Sequence, residues 1–198
     1  MRKSLIVIWV IALVPFALIG QDYVGSHKCK SCHKKEESGA QYIKWSEGVH
    51  AKAFETLKSE EAAAVAKKAG LKTPAHESPE CVGCHTTGYG KGGYEIKDEA
   101  FWNPAKDDKD GKKAVKVMEG LQAVGCESCH GPGGDYKSKK VMQAIFDGST
   151  PAGDVGLWTP NEKICVECHN EKSPTYKPFK FDERVKEVGH PYPEGFRK

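Results

Sequence analysis

Eight cysteines are spread along the 198-residue chain, and every one belongs to a C-x-x-C pair followed at once by histidine. The pairs are Cys29/Cys32, Cys81/Cys84, Cys126/Cys129 and Cys165/Cys168, and the histidines are His33, His85, His130 and His169. C-x-x-C-H is the attachment signature for c-type haem. Two thiols add to the two vinyl groups on one porphyrin edge, and the next residue brings an imidazole over the ring to bind iron. Four covalent haems are therefore expected. A disulfide framework gives no reason for the histidines: with 8 His among 198 residues, four such hits arise by chance about three times in a million. A zinc site has no use for a histidine after every pair.

Hydrophobic residues make up only 38% of the chain. That is a thin supply for an apolar core, so haem is expected to fill the interior. The N-terminus reads as an export signal, with Arg2 and Lys3 before an apolar run from Leu5 to Ile19. The run is short for a membrane span, although Leu18 makes a poor cleavage site, so retention as an anchor is the alternative. Residues 1–20 are thus set apart from a haem-binding domain over 21–198, placed in the periplasm or outside the cell. The formal charge of +3 falls to +1 once Arg2 and Lys3 are removed. No basic tract suggests nucleic acid. The propionates of four haems would make the total negative, steering a basic redox partner to the surface.

Four further histidines could supply the second axial ligands. His50 lies in a segment of helical period, sharing a face with Phe54 and Leu57. His190 follows a short helix over 180–188, where Gly189 and Pro191 stop the helix and hold it. His76, in a loop before the second motif, and His27, two residues before Cys29, are tethered too closely to cross their own haems. Each could reach a neighbour. Met118 and Met142 are the thioether alternatives, both expected to pack as core. Helices are expected near 40–58, 59–69, 114–122, 137–147 and 180–188, with a polar surface excursion over 97–113. The fold class that follows is mainly α: a small single domain of helices and long loops wrapped round stacked haems, with little sheet.

Three segments resemble the tetrahaem cytochrome c-554 family: 81–94, 124–133 and 179–188, together with the helix carrying Trp45, His50, Ala53 and Leu57. The resemblance runs from about Lys28 to His190. It implies stacked haem pairs and a carrier that takes electrons from an upstream oxidoreductase and passes them on. It also implies that His50 is a distal ligand to a haem attached elsewhere in the chain. In the family the second-motif haem is five-coordinate, which singles out His85 and makes a nitric oxide-like reductase one alternative. Two departures stand out. The family's distal histidine after the third motif is missing from the stretch Tyr136 to Met142, and 97–113 looks like an insertion. A haem wire of subunits sharing distal ligands, with His27 as donor, is a further alternative. Redox proteins are the expected partners; a retained N-terminus would add membrane association, and a wire would add homo-oligomers.

Overall fold

Each haem motif needs two thiols on one side of the chain and an imidazole just beyond them. One helical turn supplies this, because residues three and four apart share a face. The computed structural model describes residues 22–196, so the expected export segment lies outside it. Among the described residues there are eleven α-helices and no strand. The first motif lies on α1 (Lys30–His33) and its N-cap Cys29. It is followed by α2 (Gln41–Glu47), α3 (Ala53–Thr56) and α4 (Glu60–Lys68). The second motif ends α5 (Pro79–His85), ahead of α6 (Glu99–Trp102) and α7 (Lys109–Glu119). The third forms α8 (Cys126–His130), and the fourth starts on α10 (Glu162–Cys165), after α9 (Lys139–Phe146). Beyond α10 the His169 N–H still donates to the Cys165 carbonyl at 3.0 Å, so the fourth motif keeps its turn. The last helix is α11 (Phe181–Val188). No helix among the described residues is long and apolar enough to cross a membrane.

The expected helix over 40–58 is broken. Gly48 takes an extended conformation at the end of α2, and a 3-10 turn over His50–Lys52 leads into α3. The break is held from outside by a two-sided clamp. The Trp45 indole N–H donates to the Val124 carbonyl at 2.9 Å, and the Val124 N–H donates to the His50 carbonyl at 3.1 Å. A continuous helix would have used the His50 carbonyl internally. The 97–113 stretch also differs from expectation. It carries α6 and the start of α7, capped by the carboxylates of Asp98 and Asp108. Phe101 and Trp102 pack on the core instead of facing solvent.

That core is small: Phe54, Leu57, Ala66, Ala75, Val82, Tyr94, Met118 and Leu121. It sits where α3, α4, α5 and α7 meet, beside the second motif. Met118 is committed there, its sulphur accepting the Glu95 N–H at 3.3 Å. From Lys137 to Phe196 no described residue is buried. Yet this stretch forms three helices and carries Trp158, Tyr176, Val188 and Phe196, all large apolar residues at the surface of the bare chain. Ordered backbone without buried apolar area lacks the term that offsets conformational entropy. Flat prosthetic groups against these residues would supply it.

The loop after the second motif returns on itself. Gly88 has φ +72°, its carbonyl accepts from the N–H groups of Lys91 and Gly93 at 2.9 Å each, and Tyr94 N–H donates to Thr87 at 2.8 Å. A Cβ on Gly93 would meet the Thr87 carbonyl oxygen and lie 2.7 Å from Gly88 Cα. These are backbone atoms and cannot step aside. Gly93→Ala should therefore lower stability by roughly 1–3 kcal/mol, read as a lower thermal midpoint; an unchanged midpoint would show that the loop is not closed in this way.

Candidate haem sites

Histidines meet in two pairs. The rings of His50 and His169 have centroids 6.1 Å apart at an interplanar angle of 60°. The rings of His130 and His190 are also 6.1 Å apart, at 62°. An imidazole nitrogen binds a first-row metal at about 2 Å, and ring atoms lie about 1.1 Å from the ring centre. Two imidazoles on opposite sides of one iron thus have centres about 6.3 Å apart. Both observed gaps match that spacing.

Nitrogen bookkeeping agrees. A carbonyl only accepts, so an imidazole nitrogen facing one must carry the proton. His85 Nδ1–H donates to the Ala53 carbonyl at 2.6 Å, His130 Nδ1–H to Trp158 at 3.3 Å, and His190 Nδ1–H to Val188 at 2.9 Å. Each bond occupies Nδ1 and leaves Nε2 as the nitrogen available to ligate, the usual outer arrangement for metal-binding histidine. Burial, with help from nearby positive groups, holds His50, His130 and His169 below the ordinary imidazole value. They are therefore neutral near pH 7, the form that binds iron.

The cysteines also meet across motifs. The thiols of Cys29 and Cys126 lie close enough to interact, as do those of Cys84 and Cys168. Cys129 lies close enough to Cys165 for their charges to interact. All eight thiols are free of disulfides. Among the described residues no group of three or more His, Cys, Asp or Glu is arranged to hold a metal ion. The donors come in opposed pairs, which suits an iron that already has four porphyrin nitrogens. These donors fit c-type haem.

Polar residues lock the motifs together. Glu127, between the cysteines of the third motif, is only 1% exposed. Its carboxylate accepts from the N–H groups of Val24 at 2.9 Å, Gly25 at 2.8 Å and Gly133 at 2.6 Å. Burial pushes its carboxyl above the usual range, against the pull of those three donors and of Lys137. Thr87 ties the second motif to the third. Its hydroxyl donates to the Ala123 carbonyl at 2.7 Å and accepts from Gly125 N–H at 2.9 Å and the Ser128 hydroxyl at 3.1 Å.

The remaining candidates lie elsewhere. His33 is half-buried on α1, near enough to His130 for their charges to interact. Neither it nor His85 faces another imidazole among the described residues. The His27 ring lies against the backbone of Gly25 and Gly120, with Nε2 buried and without a hydrogen-bond partner. The His76 Nε2 is 3.6 Å from Glu77. Met142 is half-buried on α9. Sequence reasoning missed Glu127, Thr87 and the carbonyls of Ala53 and Trp158. An acid inside the third motif next to a Gly-Pro-Gly run was a visible signal for Glu127; backbone carbonyls leave none.

A family model described as cytochrome c554 and c-prime matches residues 28–131, spanning the first three motifs. Cytochrome c-554 of Nitrosomonas europaea is 36% identical over 195 residues, covering 84% of this chain and 73% of that protein. The chain belongs to the cytochrome c554 family. The solved structure of reduced cytochrome c554 from Nitrosomonas europaea matches with a TM-score of 0.59 at 33% identity, covering 87% of this chain and 86% of that one. The expected mainly α, single-domain fold agrees with this neighbour. As a member of the family, the chain is a c-type cytochrome: it carries covalent haem and transfers electrons.

Proposed function

We propose that this cytochrome is a four-haem electron relay working outside the inner membrane between two redox proteins. Bound haem supplies a one-electron iron couple at each motif. Cys29/Cys32/His33, Cys81/Cys84/His85, Cys126/Cys129/His130 and Cys165/Cys168/His169 would hold the four groups. His190 together with His130, and His50 together with His169, would hold two of the irons. Two fixed imidazoles keep the same coordination in both oxidation states, so little rearranges as charge passes.

The observation that carries this reading is the run of cysteine contacts. Cys29 meets Cys126, Cys129 approaches Cys165, and Cys168 meets Cys84. These interactions support an order of attachment edges that runs from the His33 group through those of His130 and His169 to that of His85. A line with two ends suits an electron that enters from one partner and leaves to another. The two imidazole pairs fall on the two middle positions, where no exchange with outside molecules is needed. Residues 1–20 have the pattern of an export signal, which supports a compartment where such attachment occurs.

Neighbouring irons in such a line interact magnetically. Electron paramagnetic resonance of the oxidised protein should show coupled signals, pairing the His33 group with that of His130 and the His85 group with that of His169. Four independent signals would contradict the linear order.

A further inference from the structure

We propose that the haem at His33 has an iron face with no protein ligand and binds a small anion there, making it a ligand site separate from the His85 haem. The inference rests on the four-haem reading. The chain's histidines are limited to eight, all of them among the described residues. Four follow the cysteine pairs, and His50 and His190 stand opposite His169 and His130. Only His27 and His76 remain for His33 and His85.

Neither is placed to serve His33. The His27 ring is wedged against two glycines: a Cβ on Gly25 would lie 2.9 Å from its Nδ1, and one on Gly120 would collide with the same atom. Its charged neighbours are Lys28 and, on α7, Lys116 and Glu119. Swinging toward iron would pull the ring out of that contact, and a tether of two residues to Cys29 keeps it at the attachment edge. His76 belongs to the turn before α5, beside Glu77, at the far end of the cysteine line. Met118 is used in the core. That leaves Met142 as the remaining thioether among the described residues.

The surroundings favour an anion. Lys28, Lys30, Lys34 and Lys35 are exposed within a few residues of His33, against Glu36 and Glu37. Lys137, Lys139 and Lys140 follow the third motif, whose Cys126 touches Cys29, with Asp135 as the acid in that stretch. Cys32 is exposed, so the attachment edge lies at the surface, within reach of small solutes. A ferric iron lacking one axial ligand would attract anions that carry a donor lone pair, and these lysines would strengthen the attraction.

The test uses the intact exported protein with its haem number verified by mass. Magnetic resonance of the oxidised protein should count two low-spin and two high-spin irons, and azide should titrate two sites. The variant Lys34→Glu/Lys35→Glu should weaken azide at one site by roughly three- to tenfold and spare the other. A full haem complement with a single high-spin iron whose azide affinity ignores the charge reversal, or with the near-infrared band of methionine-ligated iron, would overturn the proposal alone. So would two azide sites that both ignore the charge reversal. A mass short of four haems would overturn the four-haem reading and this proposal with it.

Discussion

Replacing His50 with alanine should turn one low-spin iron into a high-spin one and leave the haem complement intact. Attachment of the affected group depends on Cys165, Cys168 and His169, which the substitution does not touch. The backbone should stay in place as well, because the bond from Val124 N–H uses the His50 carbonyl and not its ring. What disappears is the imidazole 6.1 Å across from His169. Half of the low-spin signal should vanish, and cyanide or azide should gain one binding site. His190→Ala should do the same for the His130 group, and the double variant should retain no bis-histidine iron. A low-spin spectrum unchanged by His50→Ala would remove this residue from the ligand set.

The second large effect is on stability. Glu127 gathers the N–H groups of Val24, Gly25 and Gly133 around one buried carboxylate. Glu127→Ala strands three buried donors, each worth about 1–3 kcal/mol when unsatisfied. The expected loss is roughly 3–6 kcal/mol, enough to free the N-terminal segment and to expose the first motif to proteolysis. Glu127→Gln keeps one acceptor oxygen and should cost less, about 1–2 kcal/mol. Because burial raises this carboxyl above its ordinary value of 4.5, the folded state binds the proton more tightly than the unfolded one. Its contribution is therefore fully present below that ordinary value and declines as pH rises through the raised one. The glutamine variant should lack this decline. Equal thermal midpoints for wild type and Glu127→Ala would show that the three bonds do not hold the segment.

Much of the haem chemistry was legible in the sequence because attachment is local. Spacing within five residues specifies two thiols and one imidazole, whatever the rest of the chain does. His50 and His190 stood out as candidates for a second reason: His50 shares a helical face with Phe54, which the core buries, and His190 follows the end of α11. What could not be read was long-range. The break of the 40–58 helix at Gly48 depends on Val124, a residue 79 positions from its partner Trp45. The excursion over 97–113 looks polar, yet Phe101 and Trp102 carry it onto the core. The order of the four motifs in space reverses their order in sequence at one step, since the second motif meets the fourth through Cys84 and Cys168. Nothing in local spacing encodes that contact. His27 and His76 illustrate the converse case: their number matched the need for ligands, but neither ring faces another imidazole among the described residues.

The central claim is that four porphyrins are bonded through sulphur and line up through the middle of this chain. Intact mass of the exported protein under denaturing conditions tests it most directly. The predicted result is the polypeptide plus four haems, with no free thiol left to alkylate. A polypeptide without porphyrin, or with its cysteines joined as disulfides, would contradict it.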